Sequence, residues 1–240
     1  MDVKFFFVDA YKKDKDDFEK TGLQSVLREP IVIISQDQLI SDINEYYSAN
    51  EESSIIYKEI PFEENKDLIL IGNRQSEKYF NKDFALRLLN LDIISNEVNR
   101  LYGNLSNTCA IHIKKKKNMA QNTITENDVR TIRQKFPDDD FIIFSDDIEW
   151  CKYKFSDMNF RFADKTSNTY SIALIDMVAM SKCMCVVMSN STFSWWAAYL
   201  SRRPGHITVY KNPWTNSTDK NGDIIPDDNT WITLEQFINL

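Results

Sequence analysis

From residue 108 to residue 210 the chain alternates short apolar runs with stretches of helical length, and this rhythm limits the fold more than any other feature. Cys109-Ala110-Ile111-His112-Ile113, Phe141-Ile142-Ile143-Phe144, the run 183–188 and Ile207-Thr208-Val209-Tyr210 are rich in β-branched and aromatic residues. Runs of this kind read as strands buried in a sheet. Between them, residues 126–134, a segment opening near Ile148, residues 171–181 and residues 194–200 read as helices, with Thr125 suited to cap the first. Strands separated by helices of this length imply a parallel, helix-covered sheet. Ligands of such sheets sit at the carboxyl ends of the strands. That rule selects three places: after Ile113, after Phe144 and after Met188.

The preceding part is less regular. Apolar runs at 3–8, 31–34 and 67–71 read as strands, the last ending at Gly72, while residues 36–47, 76–93 and 95–101 look helical. Residues 49–54 form a mostly polar break, and residues 212–229 are rich in Pro, Asn and Asp. The expected organisation is α/β, with a reduced N-terminal α/β region over 1–105 and a Rossmann-like domain over 106–240.

Composition narrows the partners. The net charge of −7 and pI near 5.0 disfavour nucleic acid and anionic membranes, whose phosphates are held by accumulated Lys and Arg. Any bound anion must be held locally. Cys109, Cys151, Cys183 and Cys185 form no C-x-x-C pair and read as buried thiols in a reducing compartment. Asp2 and Lys4 interrupt the apolar start, and no apolar stretch has the length of a membrane span. The expected location is therefore cytoplasmic. His112 and His206 are the only histidines, and neither a G-x-S-x-G elbow, a Walker A loop nor G-x-G-x-x-G occurs.

Each strand end has a functional and an ordinary reading. Lys114-Lys115-Lys116-Lys117 can hold a diphosphate through charge-assisted hydrogen bonds. Taken alone, such a run is more often a solvated loop, and His112 is more often a packed strand histidine. Asp146 and Asp147 can bind a divalent ion, ribose hydroxyls or guanine N–H groups, or they can cap the following helix. Ser189-Asn190-Ser191-Thr192-Phe193-Ser194 joins a buried strand to a helix start, a natural phosphate cradle. Its hydroxyls can equally be caps.

Together these motifs resemble glycosyltransferase family eleven, the α-1,2-fucosyltransferases. Ser189-Asn190-Ser191-Thr192-Phe193-Ser194-Trp195-Trp196-Ala197-Ala198 is similar to that family's N-S-T-F/Y-S-W-W-A-A signature. Phe144-Ser145-Asp146-Asp147-Ile148-Glu149-Trp150, Asp176-Met177 before Met180 and Cys183, and Gln75-Ser76-Glu77-Lys78-Tyr79-Phe80 match further segments, and Asn212-Pro213-Trp214 matches more loosely. The resemblance implies a GT-B-like architecture and metal-independent, inverting transfer of L-fucose from GDP-fucose to a galactoside hydroxyl, with no cofactor. On it, Asp176 would hold guanine, Asp146 and Asp147 would line the nucleoside pocket, and Asn190, Ser191, Thr192 and Ser194 would lie at the diphosphate. His112, Lys114 and Lys115 would stand where the family has H-x-R-R, with Lys114 the catalytic cation.

Two departures accompany this. Lysine replaces both arginines, which keeps the charge but loses the bidentate fork, and no Gly-Asp-Tyr follows. The family's glycine-rich opening has no counterpart before Val3, as in a divergent or N-terminally truncated member. Three readings result: an active transferase using a nucleotide-sugar donor and a glycan acceptor; a degenerate relative that binds a nucleotide or glycan without turnover; and a GT-A-like enzyme holding Mn²⁺ on Asp146 and Asp147.

Overall fold

In the computed structural model, the residues described are 6–9, 32–35, 46–50, 55–60, 67–71, 75–79, 82–83, 86, 89–115, 123–201, 203–215 and 221–240. Two parallel strand pairs come first. β1 (Phe6–Asp9) pairs with β2 (Val32–Ser35), and β3 (Tyr46–Asn50) with β4 (Asp67–Ile71). Helix α1 (Asp92–Tyr102) leads into β5 (Thr108–Ile113). Then follow α2 (Glu126–Lys135), β6 (Asp140–Ser145), α3 (Ile148–Lys154), β7 (Arg161–Phe162) and α4 (Ile172–Lys182). The chain ends with β8 (Cys185–Val187), α5 (Thr192–Tyr199), β9 (Ile207–Tyr210), β10 (Trp231–Thr233) and α6 (Leu234–Ile238).

Strands β5 to β10 make one six-stranded sheet in the order β10-β9-β8-β5-β6-β7, with every pair parallel. The chain builds outward from β5 through β6 to β7, returns through α4 to β8, and builds outward again on the other side. Strand order therefore reverses between β5 and β8, the arrangement of a doubly wound Rossmann-like sheet. All six residues of β5 are buried, because a central parallel strand is covered on both faces. Alternation divides them. Cys109, Ile111 and Ile113 pack with Phe141, Ile143 and Val187 among residues of α2, α3 and α6, including Val129, Ile132, Cys151 and Phe237. Ala110 faces the other way with Ile142, Phe144, Val186 and Met188, under α1, α4 and α5.

Local chemistry sets the helix starts. Thr125 and Asp128 form a capping box on α2, Thr233 and Gln236 form another on α6, and Ser171 and Asp147 cap α4 and α3. Each such cap contributes about 1 kcal/mol. Helix α4 buries Leu174, Ile175, Val178, Ala179 and Met180, as expected of a helix that is apolar on most sides.

Several expectations need correction. Residues 36–45 lie outside those described, but Tyr46 and Tyr47, expected to end a helix, begin a strand that extends to Asn50, into the start of the expected polar break. Tertiary pairing with β4, from Tyr46 opposite Asp67 to Asn50 opposite Ile71, outweighs the local pattern. The expected helix over 76–93 is instead a 3₁₀ turn at Glu77–Tyr79 with helical residues at 82–83 and 86. A single helix spans 92–102, where a break was expected near residue 94. Its buried stripe of Ile94, Val98 and Tyr102 at fourfold spacing runs straight across that break.

The Gln75–Phe80 motif, recognised only as a signature, proves to be a docking element; of it the structure describes residues 75–79. Lys78 makes an ion pair with Asp223, whose other oxygen accepts a bond from the Tyr57 N–H at 2.8 Å, and the Tyr79 hydroxyl accepts from the Lys58 N–H at 2.8 Å. Gly222 lets this approach occur. Its φ is +50°, and a Cβ there would lie 2.5 Å from the Ile55 carbonyl oxygen, so an L side chain is excluded on both counts.

Candidate functional site

The three strand ends selected from the sequence are neighbours. Ile111 pairs with Ile143 on one side and Val187 on the other, so β8, β5 and β6 end side by side at the point where strand order reverses. Past the ladder, side chains take over its hydrogen bonds. The Lys114 N–H donates to Ser189 Oγ at 3.1 Å, towards β8, and the next N–H, of Lys115, donates to Asp146 Oδ1 at 2.7 Å, towards β6. Successive N–H groups of an extended chain point opposite ways, so one polar residue on each side clamps the exit of β5.

This clamp brings Lys114, Lys115, Asp146 and Ser189 together. The Lys114 ammonium lies 3.7 Å from Asp146 Oδ2 and is about a third exposed. The Lys115 ammonium stands 4.0 Å over the Trp150 ring, a cation–π contact. The two carboxylates expected to act as a pair turn to different tasks. Asp146 faces the lysines, whereas Asp147 Oδ1 accepts from the Trp150 N–H at 3.2 Å as the cap of α3. Among the described residues, no group of three or more His, Cys, Asp and Glu is placed to hold a metal ion.

His112 is buried beneath Phe193, with ring centroids 5.5 Å apart. Burial first, and then the Lys114 ammonium, push its pKa down to about 4, so it is neutral at pH 7. Among the described residues, its buried Nδ1 has no partner.

The hydroxyl turn after β8 is also divided. Ser191 occupies the N-cap position of α5, but its side chain makes no capping bond, and Thr192 is exposed. The first N–H groups of α5, unsatisfied within a helix, are therefore uncapped by that side chain. Ser194 is fully buried, with its hydroxyl turned to the Ser189 and Ser191 carbonyls at 3.1 and 3.2 Å. Asn190 is buried as well. Its amide nitrogen donates to the Lys211, Pro213 and Trp214 carbonyls at 3.2, 3.2 and 2.8 Å, which ties this turn to the exit of β9, and among the described residues its Oδ1 has no partner.

Asp176 lies in the second turn of α4. Among the described residues it accepts a hydrogen bond from the Tyr102 hydroxyl at 3.3 Å, and burial pushes its carboxyl up to about 7 despite that bond. A carboxyl whose pKa is raised on folding adds stability that is present in full below about pH 4, its unfolded value, and is lost as pH rises to about 7. Asp176→Asn, which keeps an acceptor for Tyr102, is expected to match the native chain near pH 4. At pH 7 to 8 it should be the more stable by on the order of 3 kcal/mol. Thermal melts of both chains from pH 4 to 8 check this, and parallel curves would refute it.

Sequence reasoning placed Ser189 in the hydroxyl turn without giving it a role of its own, and it missed Thr123, Tyr102 and the ion pair between Lys211 and Asp128, whose atoms lie 2.7 Å apart. Burial raises the Asp128 pKa, but the bonds from Lys211 and Thr125 outweigh it and hold the carboxyl below its ordinary value. Lys211 follows Tyr210 at a strand end, the same signal that singled out Lys114. Tyr102 carried no signal, because its partner lies 74 residues away.

Fold and site define a Rossmann-like α/β protein with a cationic, hydroxyl-rich cluster at the reversal of strand order. The chain belongs to glycosyl transferase family 11, whose model matches residues 110–234. It is similar to an alpha-1,2-colitosyltransferase of Escherichia coli, 32% identical over 109 residues that cover 45% of this chain and 37% of that protein. It is also similar to the O-antigen biosynthesis glycosyltransferase WbnK of Escherichia coli, 33% identical over 100 residues covering 41% of this chain and 30% of that protein. The matched part thus spans about a third of each relative's length. All four cysteines are free and buried, as expected. Among the described residues, no helix is long and apolar enough to cross a membrane.

Proposed function

We propose that this chain transfers a deoxyhexose, L-fucose or a close analogue, from a GDP-linked donor to a galactoside hydroxyl, with inversion and without a metal ion. The observation that carries this reading is the cluster at the switch point. Lys114 and Lys115, Ser191, Thr192 and the start of α5 converge where a diphosphate lies in sheets of this order. In an acidic protein this is the locally cationic place that a diphosphate needs. Family membership supports transfer chemistry. The relative named for colitose and an α-1,2 linkage makes a colitosyl donor the first alternative to GDP-fucose.

In this reading residues 106–240 form the donor half of a GT-B-like architecture in a reducing compartment, and residues 1–105 contribute to the acceptor side. Asp176 receives the guanine N–H groups, which favours its ionised form, so GDP binding near pH 7 releases part of a proton. Asp147 belongs to the nucleoside wall through its helix cap. Ser194 and Asn190 act by holding the turn, since their own polar groups point inward.

Calorimetry with GDP, with and without EDTA, tests the reading. Micromolar, metal-independent affinity that Asp176→Ala abolishes is the expected result, and absence of binding by the native chain would overturn it. Strict dependence on Mn²⁺ would favour the GT-A-like alternative. The lysines at the two arginine positions favour a second reading, a relative that binds without turnover. Assaying GDP-fucose and a colitosyl donor with a galactoside acceptor separates the two.

A further inference from the structure

We infer that Ser189 is a positioning residue for Lys114, extending the β5–β8 ladder one residue beyond its end rather than touching a ligand. The ladder's last paired residues are Ile111 and Val187, and the Ser189 N–H continues it to the His112 carbonyl at 3.2 Å. The next link cannot use the Ser189 carbonyl, which is taken up by the Ser191 N–H at 2.6 Å and by the Ser194 hydroxyl at 3.1 Å. The Ser189 hydroxyl replaces it. It donates to the His112 carbonyl at 2.8 Å, accepts from the Lys114 N–H at 3.1 Å and accepts from the Thr123 hydroxyl at 2.9 Å.

That set fills the one donor and two acceptor places a serine hydroxyl has. The residue is fully buried, so nothing remains of it for a diphosphate. Its effect is on direction. With Lys114 N–H held towards β8 and Lys115 N–H held by Asp146 towards β6, the backbone between them has one orientation, and the Lys114 ammonium leaves it on the Asp146 side. Thr123 is fastened to the same oxygen, so residues 114 and 123 meet at Ser189.

Ser189→Ala removes the acceptor and leaves Lys114 N–H and the Thr123 hydroxyl without it. Site-resolved amide exchange on the full chain is the first readout. Exchange at Lys114 should accelerate about 100-fold, as for an amide moved from a global to a local opening. Val186 and Val187 should keep their native rates. Unchanged exchange at Lys114 would overturn the inference, and so would uniform acceleration along β5 and β8, which marks general loosening.

The catalytic half of the inference rests on the transferase reading. There, Ser189→Ala should lower kcat about tenfold or more while KM for the donor moves less than threefold, the pattern of a misplaced transition-state cation. Ser189→Thr, which keeps the hydroxyl, should recover both kcat and slow exchange. A kcat within twofold of native in the alanine variant would refute the catalytic half. A native chain without turnover would instead refute the transferase reading, and Ser189 would then be judged by exchange alone.

Discussion

Replacing Trp195 with alanine is expected to remove about 5 kcal/mol of stability, much of what a domain of this size possesses. The side chain is among the largest that are fully buried. It stacks on Tyr199 at 4.6 Å and meets Trp196 and Trp231 at 5.2 and 5.9 Å. Truncating it loses the transfer energy of the indole and opens a cavity that its rigid aromatic neighbours fill poorly. The indole N–H also donates to the Ile224 carbonyl at 2.7 Å, and Ile224 is buried. An acceptor left unpaired there costs about 1–3 kcal/mol. Trp195→Phe keeps one aromatic ring but loses the bond and part of the indole volume, so its stability should fall between those of the native chain and the alanine variant.

The loss would spread beyond the core. Trp195 is in the first turn of α5, and the loop it holds at Ile224 is the one on which Ile55, Tyr57 and Lys78 dock. Loosening it therefore disturbs both the uncapped start of α5 and the seat of the Gln75–Phe80 motif. Urea unfolding followed by circular dichroism checks the prediction, because fluorescence would change with the indole itself. A midpoint for the alanine variant equal to that of the phenylalanine variant would refute it.

Legibility of the fold followed burial. β5, β6 and β8 were readable because central parallel strands are apolar on both faces, and β9 because its centre is buried as well. The edge strands β7 and β10 are only half-buried and two to three residues long, so no run distinguished them. Helix α6 was equally overlooked, although Thr233 and Gln236 stand at the spacing of a capping box. β3 went unread because its register with β4, not its own residues, makes it a strand.

The site was legible as a set of strand ends but not as a division of labour. Strand-end logic brought Lys114, Asp146 and Ser191 to one place, since parallel neighbours end together. It could not say that Asp146 faces two lysines while Asp147 caps a helix, because adjacent carboxylates diverge only through their partners. Nor could it rank Ser189 above Ser194. Both are buried serines of one turn, and only the geometry shows which of them holds Lys114. The Tyr102–Asp176 bond joins α1 to α4 across 74 residues, a distance over which one sequence carries no pairing information.

Under the transferase reading, Lys114→Ala is expected to lower kcat about 10²–10³-fold, the effect of removing one preorganised charge from a leaving group. The ammonium is the group best placed for this. Its backbone is clamped on both sides, it is about a third exposed, and Asp146 at 3.7 Å holds it without a short contact. A separation of that length leaves donors free for an incoming diphosphate, and the carboxylate lowers the net field the phosphates meet. Lysine also presents a point charge where arginine presents a planar fork. Lys114→Arg should therefore raise kcat several-fold, provided the larger head clears Asp146. The direction of these two changes is diagnostic. If the ammonium stabilises charge developing as the diphosphate departs, kcat falls in the alanine variant while KM for the donor changes little. If it only attracts the donor, KM rises and kcat stays, and the catalytic role is lost. Initial rates for Lys114→Ala, Lys114→Arg and the native chain over a range of donor concentrations decide between these. Melting temperatures of all three should agree closely, because a partly exposed cation 3.7 Å from its carboxylate contributes little to folding.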